Sequence, residues 1–158
     1  MGRATSQKSF LSKKVIILLV SLILIGVMMR ILSPAHKLDA RPYYTYDQAI
    51  TYLEGLSEPQ KQNYFYAELF DLWFLINYSW LSFLAVKKYV TRKKLYWMAF
   101  LPASLDLIET VLIIFYLHTR EFSSVYQLLP IASSLKWLSG FLILLYLGKI
   151  IFGRRAKR

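Results

Sequence analysis

Residues 101–117 read LPASLDLIETVLIIFYL, and this stretch decides the fold class. It is apolar over the length of a long helix, yet it carries Asp106 and Glu109. On an α-helix these two positions lie one turn apart on the same face. A charge facing lipid is costly, so we expect this face to point toward other protein and the remaining faces toward lipid.

The overall composition agrees with a chain solvated mainly by lipid. Hydrophobic residues make up 56% of the 158 residues, and the mean hydropathy is +0.39. A soluble domain of this length is less apolar. Because the chain has no cysteine, disulfides, thiolate metal sites and cysteine nucleophiles are excluded.

Four apolar segments approach or reach the ~20 residues that a helix needs to cross the hydrocarbon core. The sequence therefore predicts a single all-α domain, residues 1–158, built as a four-transmembrane-helix bundle. The predicted transmembrane helices are 15–32, 67–86, 95–117 and 127–148.

The charged residues predict the orientation of these helices. The N-terminal stretch, the loop 87–94 and the tail 149–158 are rich in Lys and Arg and contain no acid. By the positive-inside rule these regions face the cytoplasm, which gives an N-in/C-in protein of a bacterial inner membrane with both termini cytoplasmic. The net charge of +11 is then a topology signal. We expect anionic lipids at the basic inward face and no nucleic-acid partner.

The first segment permits two interpretations. A basic start, an apolar run and then Ser33-Pro34-Ala35 also resemble a cleaved signal peptide. The alternative is a retained first helix, and the sequence leaves both open. The start MGRATS fits the pattern for myristoylation as well, although so short a pattern arises easily by chance.

The outward loop 33–66 contains a predicted amphipathic helix. Apolar residues recur at helical spacing between Tyr46 and Leu53. We expect this short helix to lie on the outer membrane surface, with the loop tyrosines at headgroup depth. Ser57 and Pro59 then predict the start of the next helix, as its N-cap and an early proline.

Four charged residues inside the apolar segments are the main candidate site. Asp106, Glu109 and Lys136 are predicted at similar depth, and Asp71 nearer the outer end of its helix. We expect the helices to pack so that Lys136 meets Asp106, Glu109 or both. With three acids and one base, at least one carboxyl is expected to be protonated or to share a proton. These four residues are candidates for ligand binding or for an ion cluster that holds the helices.

Further polar residues within or beside these segments are secondary candidates: Tyr64, Glu68, Asn77, Tyr78, Ser133 and Trp137. No catalytic or metal-binding motif accompanies them. Neither His36 nor His118 stands three residues after an acid, as a di-iron motif requires. We therefore predict no catalytic residue, no metal and no cofactor.

The order of these residues resembles a known group of proteins. Y-x6-D from Tyr64 to Asp71, L-P-x3-D-x2-E from Leu101 to Glu109, and K-W at Lys136 are similar to a pattern in small bacterial four-helix membrane proteins of uncharacterised activity. Their pattern is G-x2-G-R-x2-Y-x6-D, then L-P-x3-D-x2-E-N, then T-x2-K-W. Here the Gly-Arg pair is absent, Thr110 replaces the Asn and Ser133 replaces the Thr. The resemblance implies the fold and the choice of polar residues, but no activity.

The first hypothesis for function is a non-enzymatic membrane protein that binds a lipid or protein partner, or assembles with copies of itself. In it the Asp/Glu/Lys cluster holds the helices. Two alternatives remain: a proton-coupled carrier of a small molecule, and an intramembrane enzyme that uses Asp106 and Glu109 on a lipidic substrate.

Overall fold

The computed structural model describes residues 3–33, 37–121 and 123–155. Within these ranges the chain is helical and contains no strand. Its α-helices are α1 (Arg3–Leu32), α2 (Tyr46–Glu54), α3 (Glu58–Tyr89), α4 (Leu101–Thr119) and α5 (Leu128–Arg155). Three 3-10 segments, Leu38–Ala40, Lys93–Phe100 and Ser124–Gln127, lie in the connections.

Four helical stretches are long and apolar enough to cross a membrane: Val15–Leu32, Glu58–Tyr89, Lys93–Thr119 and Ser124–Ile150. Their surfaces are apolar to an extent that water would not favour. The first stretch is only 6% buried although its mean hydropathy is 2.9. A helix that is apolar on all sides and unburied needs an apolar solvent.

The long helices pack in chain order. α1 lies along α3, α3 packs against α4, and α4 packs against α5. The short helix α2 packs against α5, and its Tyr52 ring also lies against the ring of Tyr64 of α3. The buried charged residues of α3, α4 and α5 lie inside this packing: Glu68, Asp71, Asp106, Glu109 and Lys136.

Helix starts follow local chemistry. Ser57 is the N-cap of α3, as predicted, and its backbone N–H donates to Gln60 Oε1 at 2.9 Å. The proline at the start of α3 is tolerated because the first helical N–H groups have no intrahelical partner. The third apolar stretch begins as the 3-10 segment Lys93–Phe100 and becomes α-helical at Leu101, next to Pro102, whose ring suits a helix start.

The segment between α1 and α3 does not simply follow the surface. Leu38, Tyr44 and Tyr64 are buried together with Ala49 and Leu53 of α2 in one apolar cluster. The amphipathic helix is present, but it turns its apolar face onto the bundle. Tyr44 and Tyr64 are 1% and 0% exposed, so these two tyrosines pack inside the protein, and their depth in the membrane stays a prediction.

Two sequence interpretations fall partly outside the described residues. The possible cleavage site includes Pro34 and Ala35, and the myristoylation pattern includes Met1 and Gly2, which lie outside them. His36, Lys157 and Arg158 lie outside them as well.

Candidate functional site

Lys136 of α5 lies at the centre of a hydrogen-bonded cluster. Its Nζ donates to Asp106 Oδ1 at 2.7 Å and to Glu109 Oε2 at 2.6 Å. Its third bond goes to the backbone carbonyl of Asp39 at 2.9 Å. An ammonium group has three donors, so Lys136 has none left. The expected contact between Lys136 and the two carboxylates of α4 is present.

Two tyrosines complete this group. Tyr44 donates to Glu109 Oε1 at 2.6 Å, and Tyr78 donates to Asp106 Oδ2 at 3.2 Å. Each carboxylate oxygen of Asp106 and Glu109 thus accepts a hydrogen bond. We call Lys136, Asp106, Glu109, Tyr44 and Tyr78 the Lys136 cluster. It connects α3, α4, α5 and the loop before α2.

A second charged group lies beside it, where the loop before α2 meets α3. Lys37 Nζ forms ion pairs with Asp39 Oδ2 at 2.5 Å and Glu68 Oε1 at 3.5 Å. Carboxylate oxygens of Asp39, Glu68 and Asp71 lie within 4.8 Å of one another. We call Lys37, Asp39, Glu68 and Asp71 the Lys37 cluster. Across both clusters, five carboxylates meet two lysines in the described part of the chain.

The Lys37 cluster is incompletely bonded. Glu68 is 0% exposed, and neither of its carboxylate oxygens has a hydrogen-bond partner among the residues that the structure describes. Asp71 Oδ2 accepts from Thr110 at 2.9 Å, while its Oδ1 receives no bond from any residue that the structure describes. A buried, unbonded carboxylate is costly. Such a group therefore needs an explanation other than stability.

The buried charges beside the loop before α2 change the pKa values of Lys37 and Tyr44. Burial by itself lowers the pKa of Lys37, but the attraction of Glu68 and Asp39 outweighs it, so the pKa is raised and the side chain is charged. Burial, and next the Glu109 carboxylate, raise the pKa of Tyr44. Tyr44 therefore stays protonated and serves as a donor.

A cavity of about 470 Å³ lies beside both clusters. Its polar end is formed by Asp39, Asp71, Tyr78, Asp106 and Lys136. Its walls are apolar or aromatic side chains and one glycine: Met29, Phe74, Trp137, Gly140, Phe141 and Leu144. We call it the side cavity. It is open to the surface, because Phe141 and Leu144 are 58% and 69% exposed.

The secondary candidates divide into two groups. Tyr64 donates to Asp39 Oδ1 at 3.4 Å, and Trp137 lines the side cavity. Ser133 donates to the backbone carbonyl of Arg41 at 2.9 Å and fastens the loop to α5. Asn77, by contrast, donates to the Trp73 carbonyl of its own helix at 2.7 Å, and within the described ranges no hydrogen bond joins its side chain to either cluster.

Catalytic and metal chemistry receive limited support. The Ser133 hydroxyl is bonded to backbone, and His118 is exposed and lines a separate cavity with Glu58 and Arg120. Asp39, Glu68 and Asp71 have the spacing of three oxygen ligands to a cation. Lys37 already places one positive charge among them.

Several residues of the site were not predicted from the sequence: Lys37, Asp39, Tyr44 and Thr110. The first three lie in a loop, where no periodicity relates them to the helices. Thr110 follows Glu109 directly. It stands at the position where the resembling group has Asn, and this correspondence was the signal that could have identified Thr110 as a site residue.

Comparisons with protein-family models, with curated proteins and with solved structures give no match. The resemblance to small four-helix membrane proteins therefore stays a prediction. The function has to be argued from the geometry of this chain.

Proposed function

We propose that this chain is a multi-pass membrane protein that binds a single-chain amphiphile in the side cavity. The observation that carries the proposal is the two-part lining of this cavity, with charged groups at one end and exposed apolar walls beyond them. Its volume of about 470 Å³ lies in the usual range for small-molecule sites. The polar group of the ligand lies at the clusters, and its chain lies along Phe141 and Leu144.

The Lys136 cluster has a structural role in this proposal. Both oxygens of Asp106 and Glu109 already accept hydrogen bonds from protein groups. An acid or base that acts on a substrate must reach the proton it transfers, whereas these carboxylates are directed at Lys136 and two tyrosines. This favours a binding protein over an intramembrane enzyme that uses Asp106 and Glu109.

The proposed orientation places both termini and the basic loop 87–94 in the cytoplasm of a bacterial cell, with α2 outside. Lys87 and Lys88 close α3 and are exposed, which supports contact with anionic headgroups. From the outer helix ends, Glu109 lies about 15 Å along α4 and Lys136 about 12 Å along α5. The charged clusters thus lie in the outer half of the bundle, with the side cavity beside them. Assembly into a homo-oligomer or with another membrane protein stays part of the proposal.

The test uses the glycine in the cavity wall. A Cβ atom added at Gly140 meets no heavy atom within 4 Å outside the neighbouring backbone of its own helix, and the same holds for Gly148 on the same helix, which does not line the cavity. Gly140→Leu should fill the cavity and abolish binding, while Gly148→Leu should leave binding intact. Purified protein is titrated with brominated single-chain amphiphiles, and saturable quenching of Trp137 fluorescence is measured as the difference from Trp137→Phe.

Each result has a clear reading. Saturable quenching that is lost in Gly140→Leu and kept in Gly148→Leu supports the proposal. Equal quenching in both variants assigns the signal to bulk contact with amphiphile and contradicts it. The thermal unfolding of both variants is measured in detergent as a control. The two leucines should change it equally, so that a difference in binding does not reflect a difference in folding.

A further inference from the structure

The hydrogen-bond donors at the polar end of the side cavity are already occupied. Lys136 uses all three of its protons on Asp39, Asp106 and Glu109. The hydroxyl of Tyr78 donates to Asp106. A carboxylate or phosphate head group on a ligand needs donors, and the two donor side chains that line this end of the cavity, Tyr78 and Lys136, have none to spare. The nearby ammonium of Lys37 does not line the cavity and is ion-paired with Asp39 and Glu68.

Acceptors, in contrast, remain free. Asp71 lines the cavity and has one carboxylate oxygen without a bond in the described ranges. Glu68, one helical turn before Asp71, is fully buried, and no described residue donates a hydrogen bond to either of its oxygens. Within the described ranges, its ion pair with Lys37 is made through Oε1. Single carboxylate oxygens of Asp39, Glu68 and Asp71 lie within 4.8 Å of one another.

The protein itself shows that an ammonium group fits this environment. Lys37 Nζ lies at 2.5 Å from Asp39 and 3.5 Å from Glu68, and its side chain is only 14% exposed. One ammonium among three carboxylates still leaves two negative charges in the Lys37 cluster when all three are ionised. A second cation from a ligand reduces this imbalance.

We propose that the polar group of the bound amphiphile is a primary ammonium, held by Asp71 and Glu68 beside Lys37. This assignment rests on the proposed function and names its ligand class. The ammonium supplies the N–H donors that the free carboxylate oxygens lack, and its alkyl chain lies along the apolar wall of α5. Aromatic rings at Phe74 and Trp137 also favour a cationic head over an anionic one.

The experiment compares three brominated probes with the same chain: bromododecylamine, bromododecanoic acid and bromododecanol. We expect the amine to bind about tenfold or more tightly than the other two, since hydrogen bonds to charged groups are the strong ones. Glu68→Gln and Asp71→Asn should remove this preference. Glu58→Gln, on the exposed start of the same helix, is the matched control and should leave it unchanged.

A gain-of-binding variant separates a ligand site from a structural role. Lys37→Met removes the ammonium that competes for the same carboxylates, so the amine should bind this variant more tightly than wild type. A purely structural Lys37 cluster predicts weaker binding or none. The thermal unfolding of each variant is measured alongside, so that loss of fold is recognised.

The outcomes distinguish this inference from the proposal on which it rests. If none of the probes shows saturable binding, the amphiphile site itself is wrong and the assignment falls with it. If all three bind equally, or the acid binds best, only the ammonium assignment is overturned. If calcium ions displace the amine and stabilise wild type but not Glu68→Gln, the carboxylates form a metal site and the assignment is also overturned.

Discussion

At the scale of single residues, two buried glutamates show how differently one side chain can be used. Glu68 and Glu109 are both 0% exposed. Glu109 accepts from Lys136 and Tyr44, whereas no described residue donates a hydrogen bond to Glu68. Burying a carboxylate is costly unless it is paired and bonded. We infer that Glu109 stabilises the fold and that Glu68 is retained for binding.

The two isosteric variants should therefore change stability in opposite directions. Glu109→Gln removes a charge that faces Lys136 and should lower the free energy of unfolding by about 1–3 kcal/mol. Glu68→Gln removes an unbonded charge and adds an amide donor near Asp39 and Asp71, so stability should stay constant or rise. Thermal unfolding in detergent measures both. A larger loss for Glu68→Gln than for Glu109→Gln would show that the assignment of roles is reversed.

Single residues of the site also differ in whether the sequence predicts their position. Asp106, Glu109 and Lys136 could be placed together because their helices were recognisable and helix geometry converts spacing into depth and face. Lys37 and Asp39 could not be placed, because their position depends on a loop that folds back into the bundle. No local pattern encodes that insertion.

At the scale of elements, the loop before α2 is fastened to the bundle from three sides. Tyr44 donates to Glu109, Ser133 donates to the Arg41 carbonyl, and Lys136 donates to the Asp39 carbonyl. Two of these bonds satisfy backbone carbonyls, which irregular chain leaves without helical partners. The loop therefore acts as an ordered cap over the charged interior.

Removing one fastening should loosen this cap. Tyr44→Phe keeps the ring but deletes the bond to Glu109, which should lower stability by about 1–3 kcal/mol, since a bond to a charged group is lost. Hydrogen exchange of residues 37–44 should accelerate. Tyr43→Phe is the matched control. The Tyr43 side chain, next to Tyr44 in sequence, is 70% exposed, so this substitution should have little effect. Equal exchange in the two variants would contradict a fastening role for Tyr44.

The elements also differ in how far the sequence predicts them. The start of α3 follows from Ser57 and the proline after it, which is local chemistry. The amphipathic pattern of α2 predicts a helix with one apolar face, but not which apolar surface covers that face. Here α2 packs onto the bundle through Ala49 and Leu53. The competition between lipid and protein for one face is decided by tertiary structure.

At the scale of the whole molecule, the charges separate into two populations. Basic residues without acids occupy the stretches at one end of the long helices, and the nine acids lie elsewhere. The clusters beside the side cavity lie toward the other end. The positive-inside rule relates this asymmetry to an orientation. If it holds, the side cavity opens in the outer half of the membrane.

The absence of cysteine allows a direct test of this orientation, because a single introduced cysteine is a unique label. Thr51 of α2 and Thr91 of the basic loop are both exposed, and replacing either leaves every charge in place. A membrane-impermeant thiol reagent should label Thr51→Cys in intact spheroplasts. It should label Thr91→Cys only after the membrane is opened. The reverse pattern would invert the topology and place the side cavity in the cytoplasmic half. Labelling of both positions in intact spheroplasts would contradict a spanning α3, since α3 connects the two threonines.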